Sequence, residues 1–175
     1  MKNAKYILRL TVTLLLITAV VAGLLGLVNY LTEDKIEALQ NEKAESAMRE
    51  VLEAERYTPL ETDAEGVTAL YQAGDKGCVV RVSVNGFGGA IDMMVGVDTN
   101  RTVTGVSIIS HSETASLGAN CTREDFRAQF VGASGSLAVT KDGGAIDALT
   151  GATVTSRAVT KGVNLALECV KEVLG

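Results

Sequence analysis

Leu10 to Leu31 is a run of 22 residues without a formal charge. As a helix it is about 33 Å long, enough to cross a hydrocarbon layer of roughly 30 Å. Any fold for this chain must keep that segment apart from an aqueous core, so the remaining residues have to supply a domain of their own. Lys2, Lys5 and Arg9 flank one end of the run, Glu33 and Asp34 the other. That bias places residues 1–9 in the cytoplasm, a single span at 10–31, and everything after Thr32 outside. A cleaved signal peptide shares the basic start and apolar core, but this run is long for one and lacks a convincing A-x-A site. Within the span, Ala19-x-x-x-Gly23 and Ala22-x-x-x-Gly26 are small-residue pairs that permit close contact with a partner helix.

The rest of the 175 residues suffices for one domain with a single core. The formal charge is −5, and because Lys2, Lys5 and Arg9 contribute +3, the remainder carries −8. This argues against a nucleic-acid partner. Trp is absent and aromatics are 4%, which leaves no stacking platform for single-stranded bases. Cys78, Cys121 and Cys169 are odd in number and widely spaced, a pattern of core packing rather than of disulfides or a metal cluster. His111, the only histidine, cannot build a metal site alone.

Glu33 to about Glu55 reads as a helical stalk with Ile36, Leu39, Met48, Val51 and Leu52 near one stripe. Pro59, the only proline, ends it in a polar linker from Thr58 to Gly66, so that 32–66 is stalk and linker and 67–175 the domain. Val67–Ala73 and Cys78–Asn85, joined at Gly74-Asp-Lys-Gly77, form a hairpin with one buried face. Gly86-Phe87-Gly88-Gly89 bends the chain into a strand at 90–97, and Asp98-Thr-Asn-Arg101 turns it into one at 102–110. Thr122 is placed to cap a helix over 123–131, a short strand is expected at 137–139, and a final helix at 156–174 carries Val159, Val163, Leu167, Val170 and Leu174 on one face. The fold class is α+β: one transmembrane helix, short antiparallel strands and a C-terminal helix.

Just before that helix stands Asp147-Ala-Leu-Thr150-Gly151-Ala152-Thr153-Val-Thr155-Ser156. Orphan N–H groups and the dipole at a helix start favour a bound anion. A simple N-cap explains an isolated T-G-A-T, but four hydroxyls in the seven residues 150–156 exceed what one cap needs.

Asp147-x-x-Thr150-Gly151-Ala152-Thr153 resembles the D-x-x-[S/T]-G-A-T signature of FMN-binding domains in the RnfG/NqrC family. The family's last Thr carries FMN through a phosphoester bond, so the resemblance makes Thr153 the attachment residue, flanked by Thr150, Gly151, Ala152 and Thr155. A Thr hydroxyl is a poor nucleophile without activation, and the family uses a separate flavin transferase that takes FMN from FAD. His111-Ser112-Glu113-Thr114-Ala115-Ser116-Leu117-Gly118 resembles the family's H-x-E-T-P-G-L-G loop, whose Thr-to-Gly portion lies against the flavin. This implies contacts at Glu113, Thr114, Leu117 and Gly118, with a solvated loop pair as the alternative for His111 and Glu113. Here Ala115-Ser116 replaces Pro-Gly, so a loop less rigid or differently shaped is expected.

The length is similar to RnfG rather than the longer NqrC. The resemblance thus implies an electron-relay subunit of an Rnf-type ion-translocating ferredoxin:NAD⁺ oxidoreductase, with no catalytic residue or metal of its own. Its partners would be other membrane subunits and a flavin transferase. Its place would be the bacterial inner membrane, with the domain extracytoplasmic. Two rivals stand beside this: an NqrC-like or other extracytoplasmic electron-transfer flavoprotein, and a membrane-anchored binding or scaffold domain without cofactor. The charge bias is directly testable. Protease added to intact spheroplasts should digest the domain beyond Glu33, whereas digestion confined to inside-out vesicles reverses the orientation.

Overall fold

The computed structural model describes residues 2–174, without the side chains of 2–4, 34, 37, 38, 40 and 174; the expectations for the Lys2, Asp34 and Leu174 side chains therefore lie outside the described residues. The chain forms two units, Met1–Glu42 and Lys43–Gly175.

The helix α1 (Lys2–Val51) begins in the first unit and ends in the second, and its residues 5–33, with mean hydropathy 2.5, are long and apolar enough to cross a membrane. Their apolar side chains are exposed along the whole stretch. Thr11, Thr13, Thr18 and Thr32 donate to the carbonyls of Ile7, Arg9, Leu14 and Val28 at 2.8–3.0 Å, so their hydroxyls are satisfied within the helix. Gly23 and Gly26 have nothing within 4 Å of an added Cβ.

In the second unit, β1 (Thr58–Leu60), β2 (Val67–Gln72), β3 (Gly77–Asn85), β4 (Ala90–Asp98) and β5 (Val103–His111) form an antiparallel meander in sequence order. The helix α3 (Thr153–Leu174) lies on one face, where Val159, Val163, Ala166, Leu167 and Val170 join Val80, Val82, Val84, Met93 and Val95 in a buried cluster. Each such aliphatic side chain contributes about 1.5–3 kcal/mol on burial. The hairpin of β2 and β3 is not apolar on one face alone, as its alternation suggested. Val79 and Met94, pointing the other way, are fully buried under Ala47, Met48 and Val51 at the end of α1.

That end reaches the sheet through a cross-strand pair of glycines. Gly96 stands opposite Gly105, and a Cβ at Gly105 would lie 2.8 Å from the Val51 Cα. The Thr104 hydroxyl donates to the Val51 carbonyl at 2.6 Å. Next to this contact, Glu50 accepts from Ser107 Oγ at 2.6 Å and from Arg127 Nη1 at 2.6 Å. Burial raises the Glu50 pKa, but the bonds from Arg127 and Ser107 and the Arg127 charge outweigh it and leave it lowered. A lowered folded pKa stabilises the fold above the ordinary carboxylate value and is lost as pH falls through the folded one. The effect is small at a carboxylate this exposed. The stripe read along the stalk divides accordingly: Met48 and Val51 are buried, while Ile36 and Leu39 are exposed.

Four local expectations differ from the structure. Thr58–Leu60 is an edge strand paired with β2 rather than linker, a place where Pro59 needs no N–H donor. Thr122 caps nothing, because its hydroxyl donates to Ala119; Arg123 is the N-cap of a single turn, α2 (Glu124–Arg127), continued by a 3₁₀ turn at Ala128–Phe130. At 137–139 only Val139 pairs, with Ile146, since the chain reverses at once through a 3₁₀ turn and Gly143 at φ +84°. The final helix begins at Thr153, three residues before the expected Ser156.

The Gly96–Gly105 dent makes a direct prediction. Gly105→Val should push the helix end off the sheet and lower stability by roughly 1–3 kcal/mol, read as a drop in thermal midpoint of the detergent-solubilised protein. An unchanged midpoint would show that residues 43–51 do not depend on that contact.

Candidate functional site

The site forms where the 86–89 bend, the loop after β5 and the start of α3 converge. Their meeting point is the carboxyl of Glu113, only 8% exposed. One oxygen accepts the Gly88 N–H at 2.9 Å and the other the hydroxyl of Thr155. Glycines make this approach possible: a Cβ at Gly86 would lie 2.7 Å from Ile91 Cδ1 and still closer to the carboxyl, and one at Gly118 would lie 2.7 Å from Thr155 Oγ1. Glu113 is therefore not a solvated loop residue. His111, partly exposed at the end of β5, accepts the Glu113 N–H on Nδ1 at 3.2 Å. Behind the carboxyl sits Cys121, whose thiol is pushed up to about 11 by burial first and by the Glu113 charge second. It stays protonated at neutral pH. Cys78 and Cys169 are buried too, and none of the three cysteines forms a disulfide.

The loop bends at Ser116. Ser116 adopts φ +63°, the left-handed conformation that a Gly takes freely and that costs an L-residue roughly 1–2 kcal/mol. Its carbonyl accepts the Asn120 side-chain amide at 3.0 Å, which holds the turn.

On the helix side, Gly151 at φ +76° reverses the chain into α3. Ser156 Oγ accepts the Leu149 N–H at 2.9 Å and donates to the Ala152 carbonyl at 3.0 Å, fixing the T-G-A-T turn from beneath. Thr155 and Ser156 are buried and lie in the first turn, so neither caps it. The bond from Ser156 N–H to the Ala152 carbonyl, 3.0 Å, leaves the Thr153, Val154 and Thr155 N–H groups ahead of it. Thr153 is half-buried, and its hydroxyl accepts from Lys141 Nζ at 2.9 Å.

These residues enclose a cavity of about 360 Å³ lined by Glu113, Thr114, Leu117, Gly118, Gly151, Ala152, Thr153 and Thr155, together with Phe87, Lys141 and Val154. Its volume falls in the range of small-molecule sites. Eight of the nine residues singled out from the sequence thus meet in one place. Thr150 does not: it is exposed and lines a neighbouring depression with Asn120, Arg123 and Gln129, beyond Leu117. A separate cavity of about 410 Å³ beside Arg101, Asn164 and Lys171 contains none of them. Three lining residues escaped the sequence reading. Phe87 stood in view between glycines, but Lys141 and Val154 carry no pattern of their own.

A family model of the FMN-binding domain matches residues 86–168, and one of the RnfG N-terminal region matches residues 1–51. Over 97% of both chains, the sequence is 35% identical to the G subunit of the ion-translocating oxidoreductase complex of Methanosarcina acetivorans. The chain belongs to the RnfG family. Within that family it is also 36% identical to the G subunit of the proton-translocating ferredoxin:NAD(+) oxidoreductase complex of Clostridium ljungdahlii, over 92% of this chain and 90% of the relative. The G subunit of the Na(+)-translocating ferredoxin:NAD(+) oxidoreductase complex of Acetobacterium woodii is 32% identical over 94% and 91%. The fold that this RnfG-family chain adopts is shared with the C subunit of the Na(+)-translocating NADH-quinone reductase of Parabacteroides distasonis, at TM-score 0.55 and 20% identity over 76% of this chain and 83% of that one.

Glu113 carries the next prediction. Glu113→Ala leaves the Gly88 N–H and the Thr155 hydroxyl without their acceptor, a loss of about 1–3 kcal/mol. Urea denaturation should show that loss, with faster hydrogen exchange at the Gly88 N–H. Unchanged exchange at Gly88 would contradict the clasp.

Proposed function

We propose that this RnfG-family chain is the electron-relay subunit of an Rnf-type ion-translocating ferredoxin:NAD⁺ oxidoreductase complex, and that it carries FMN as a phosphoester on Thr153. One observation supports the attachment above the others: in T-G-A-T the final Thr is a half-buried residue at the start of α3, on the wall of the cavity. The relatives' names support the complex.

The residues present fit FMN. Gly151 and Gly118 bring backbone close to the cavity, and the leading N–H groups of α3 suit a phosphodiester charge, with a dipole contribution of roughly 0.3–1 kcal/mol. At the mouth, Phe87, Leu117 and Val154 are 74, 44 and 49% exposed, apolar surface of the kind that a flat heteroaromatic ring would cover. Bound FMN supplies one- and two-electron transfer, and the protein supplies position and electrostatics. Thr114, Gly118 and Glu113 shape the wall, and Thr155 is committed to Glu113 rather than to a ligand. Thr150 is too far round the turn to line the cavity and belongs to the motif's loop.

The chain is held by a single span at 10–31 in the cell's inner membrane, with its N-terminus cytoplasmic and the flavin domain outside, among the other membrane subunits of the complex. A flavin transferase loads it. A covalent tether prevents loss of the cofactor outside the cell. Thr153→Ala, expressed with a flavin transferase, should give a folded protein with no flavin fluorescence after denaturing electrophoresis, whereas Thr150→Ala should remain fluorescent. A fluorescent Thr153→Ala band overturns the assignment, and a colourless wild-type protein made under the same conditions supports the cofactor-free scaffold instead.

A further inference from the structure

We infer that Lys141 is the positioning residue of the modified threonine, holding the Thr153 hydroxyl before flavin transfer and pairing with the phosphodiester afterwards. This rests on the reading of Thr153 as the flavin-bearing residue. The bond from Lys141 Nζ to Thr153 Oγ1 is 2.9 Å. A surface lysine touching a hydroxyl would ordinarily mean little, because its long side chain is free to leave. Here the backbone that carries it is clamped to the same elements as the threonine.

Thr140 N–H donates to the Ile146 carbonyl at 2.8 Å, and Gly144 N–H to that of Val139 at 3.0 Å, closing the loop around Lys141. A Cβ at Gly144 would lie 2.7 Å from Ala138 Cα, so the closure leaves no slack. Asp142, the next residue, takes a two-point contact from Arg157 at 2.6 and 2.7 Å. Arg157 stands one turn beyond Thr153 on the same helix. The Asp142–Arg157 pair thereby ties the loop to the helix start beside the Lys141–Thr153 bond. The lock also determines which cation the phosphate meets. Arg157 is occupied by Asp142, and among the described residues Lys141 is the one cation on the cavity wall.

An ammonium has three donors and no acceptor. In this bond Thr153 Oγ accepts, so its own hydrogen points elsewhere and Lys141 cannot be the base that removes it. Transfer forms the Thr153 Oγ–P bond and breaks the pyrophosphate P–O bond of FAD. AMP leaves, and the hydroxyl proton passes to a base of the transferase. Lys141 fixes the direction from which the oxygen is presented and offers a charge to the phosphoryl oxygens, an interaction about twice as strong as a neutral hydrogen bond.

The test uses the full-length apoprotein in detergent with purified flavin transferase and FAD, reading the initial rate of fluorescence incorporation on denaturing gels. Lys141→Met should lower that rate about tenfold, equivalent to roughly 1.4 kcal/mol, and Lys141→Arg should restore it to within about threefold of wild type. The wild-type rate should fall with added salt more steeply than that of Lys141→Met. In the fully loaded proteins the phosphorus-31 resonance should differ between wild type and Lys141→Met, a change that a lysine serving only the fold would not cause. A Lys141→Met rate within about twofold of wild type overturns the assignment, and so does an Arg variant as slow as Met. If wild-type protein takes no flavin at Thr153, the reading of the site itself fails; if wild type and Lys141→Met load equally, only the lysine's role does.

Discussion

A carboxyl group withdrawn from water must find hydrogen-bond partners or destabilise the fold by several kcal/mol. Glu113 finds them in two segments distant in sequence: the Gly88 N–H, 25 residues before it, and the Thr155 hydroxyl, 42 residues after. Satisfying one side chain therefore brings the 86–89 bend, the loop after β5 and the first turn of α3 to a single point. Side chains at 86, 88 and 118 would stand in the way, and all three positions are Gly. The cavity is what remains between these three segments once the clasp has closed.

From that constraint the division of labour among the motif's hydroxyls follows. Thr155 faces inward and is consumed by Glu113, and Ser156 is consumed by the turn below it. Thr150 sits on the far side of the Gly151 reversal. Only Thr153 stands at the helix start on the cavity wall, in contact with a cation and short of the first intrahelical N–H bond. Two of the motif's four hydroxyls, those of Thr155 and Ser156, hold together the turn on which Thr153 stands. The exposed Phe87, Leu117 and Val154 then give the mouth an apolar rim suited to a ring system that must also be reached by a redox partner.

Much of this was legible in the sequence where the signal is local. Alternating Val residues marked β3, and Asp98 with its following turn marked the β4–β5 connection, where its carboxylate accepts the Asn100 and Thr102 N–H groups at 2.9 and 2.8 Å. The uncharged run marked the first part of α1. What local pattern could not reveal was any contact whose second half lies elsewhere in the chain. Residues 43–51 cover the sheet because Gly96 and Gly105 happen to be cross-strand neighbours, and neither glycine announces that alone. The resemblance puts Thr155 among the cofactor-binding residues; in the structure its hydroxyl donates to Glu113, 42 residues away in sequence. Ser116 takes the left-handed conformation, which nothing in its neighbouring residues reveals.

All four hydroxyls of the motif fall between Lys141 and Arg157, so one tryptic peptide contains every candidate attachment point. Fragmenting that peptide from natively purified protein by tandem mass spectrometry tests the central claim most directly. The account predicts an FMN adduct whose fragment series begins at Thr153, with Thr150, Thr155 and Ser156 unmodified. An adduct on any of those three, or a peptide recovered wholly unmodified from a protein with an active flavin transferase, contradicts it.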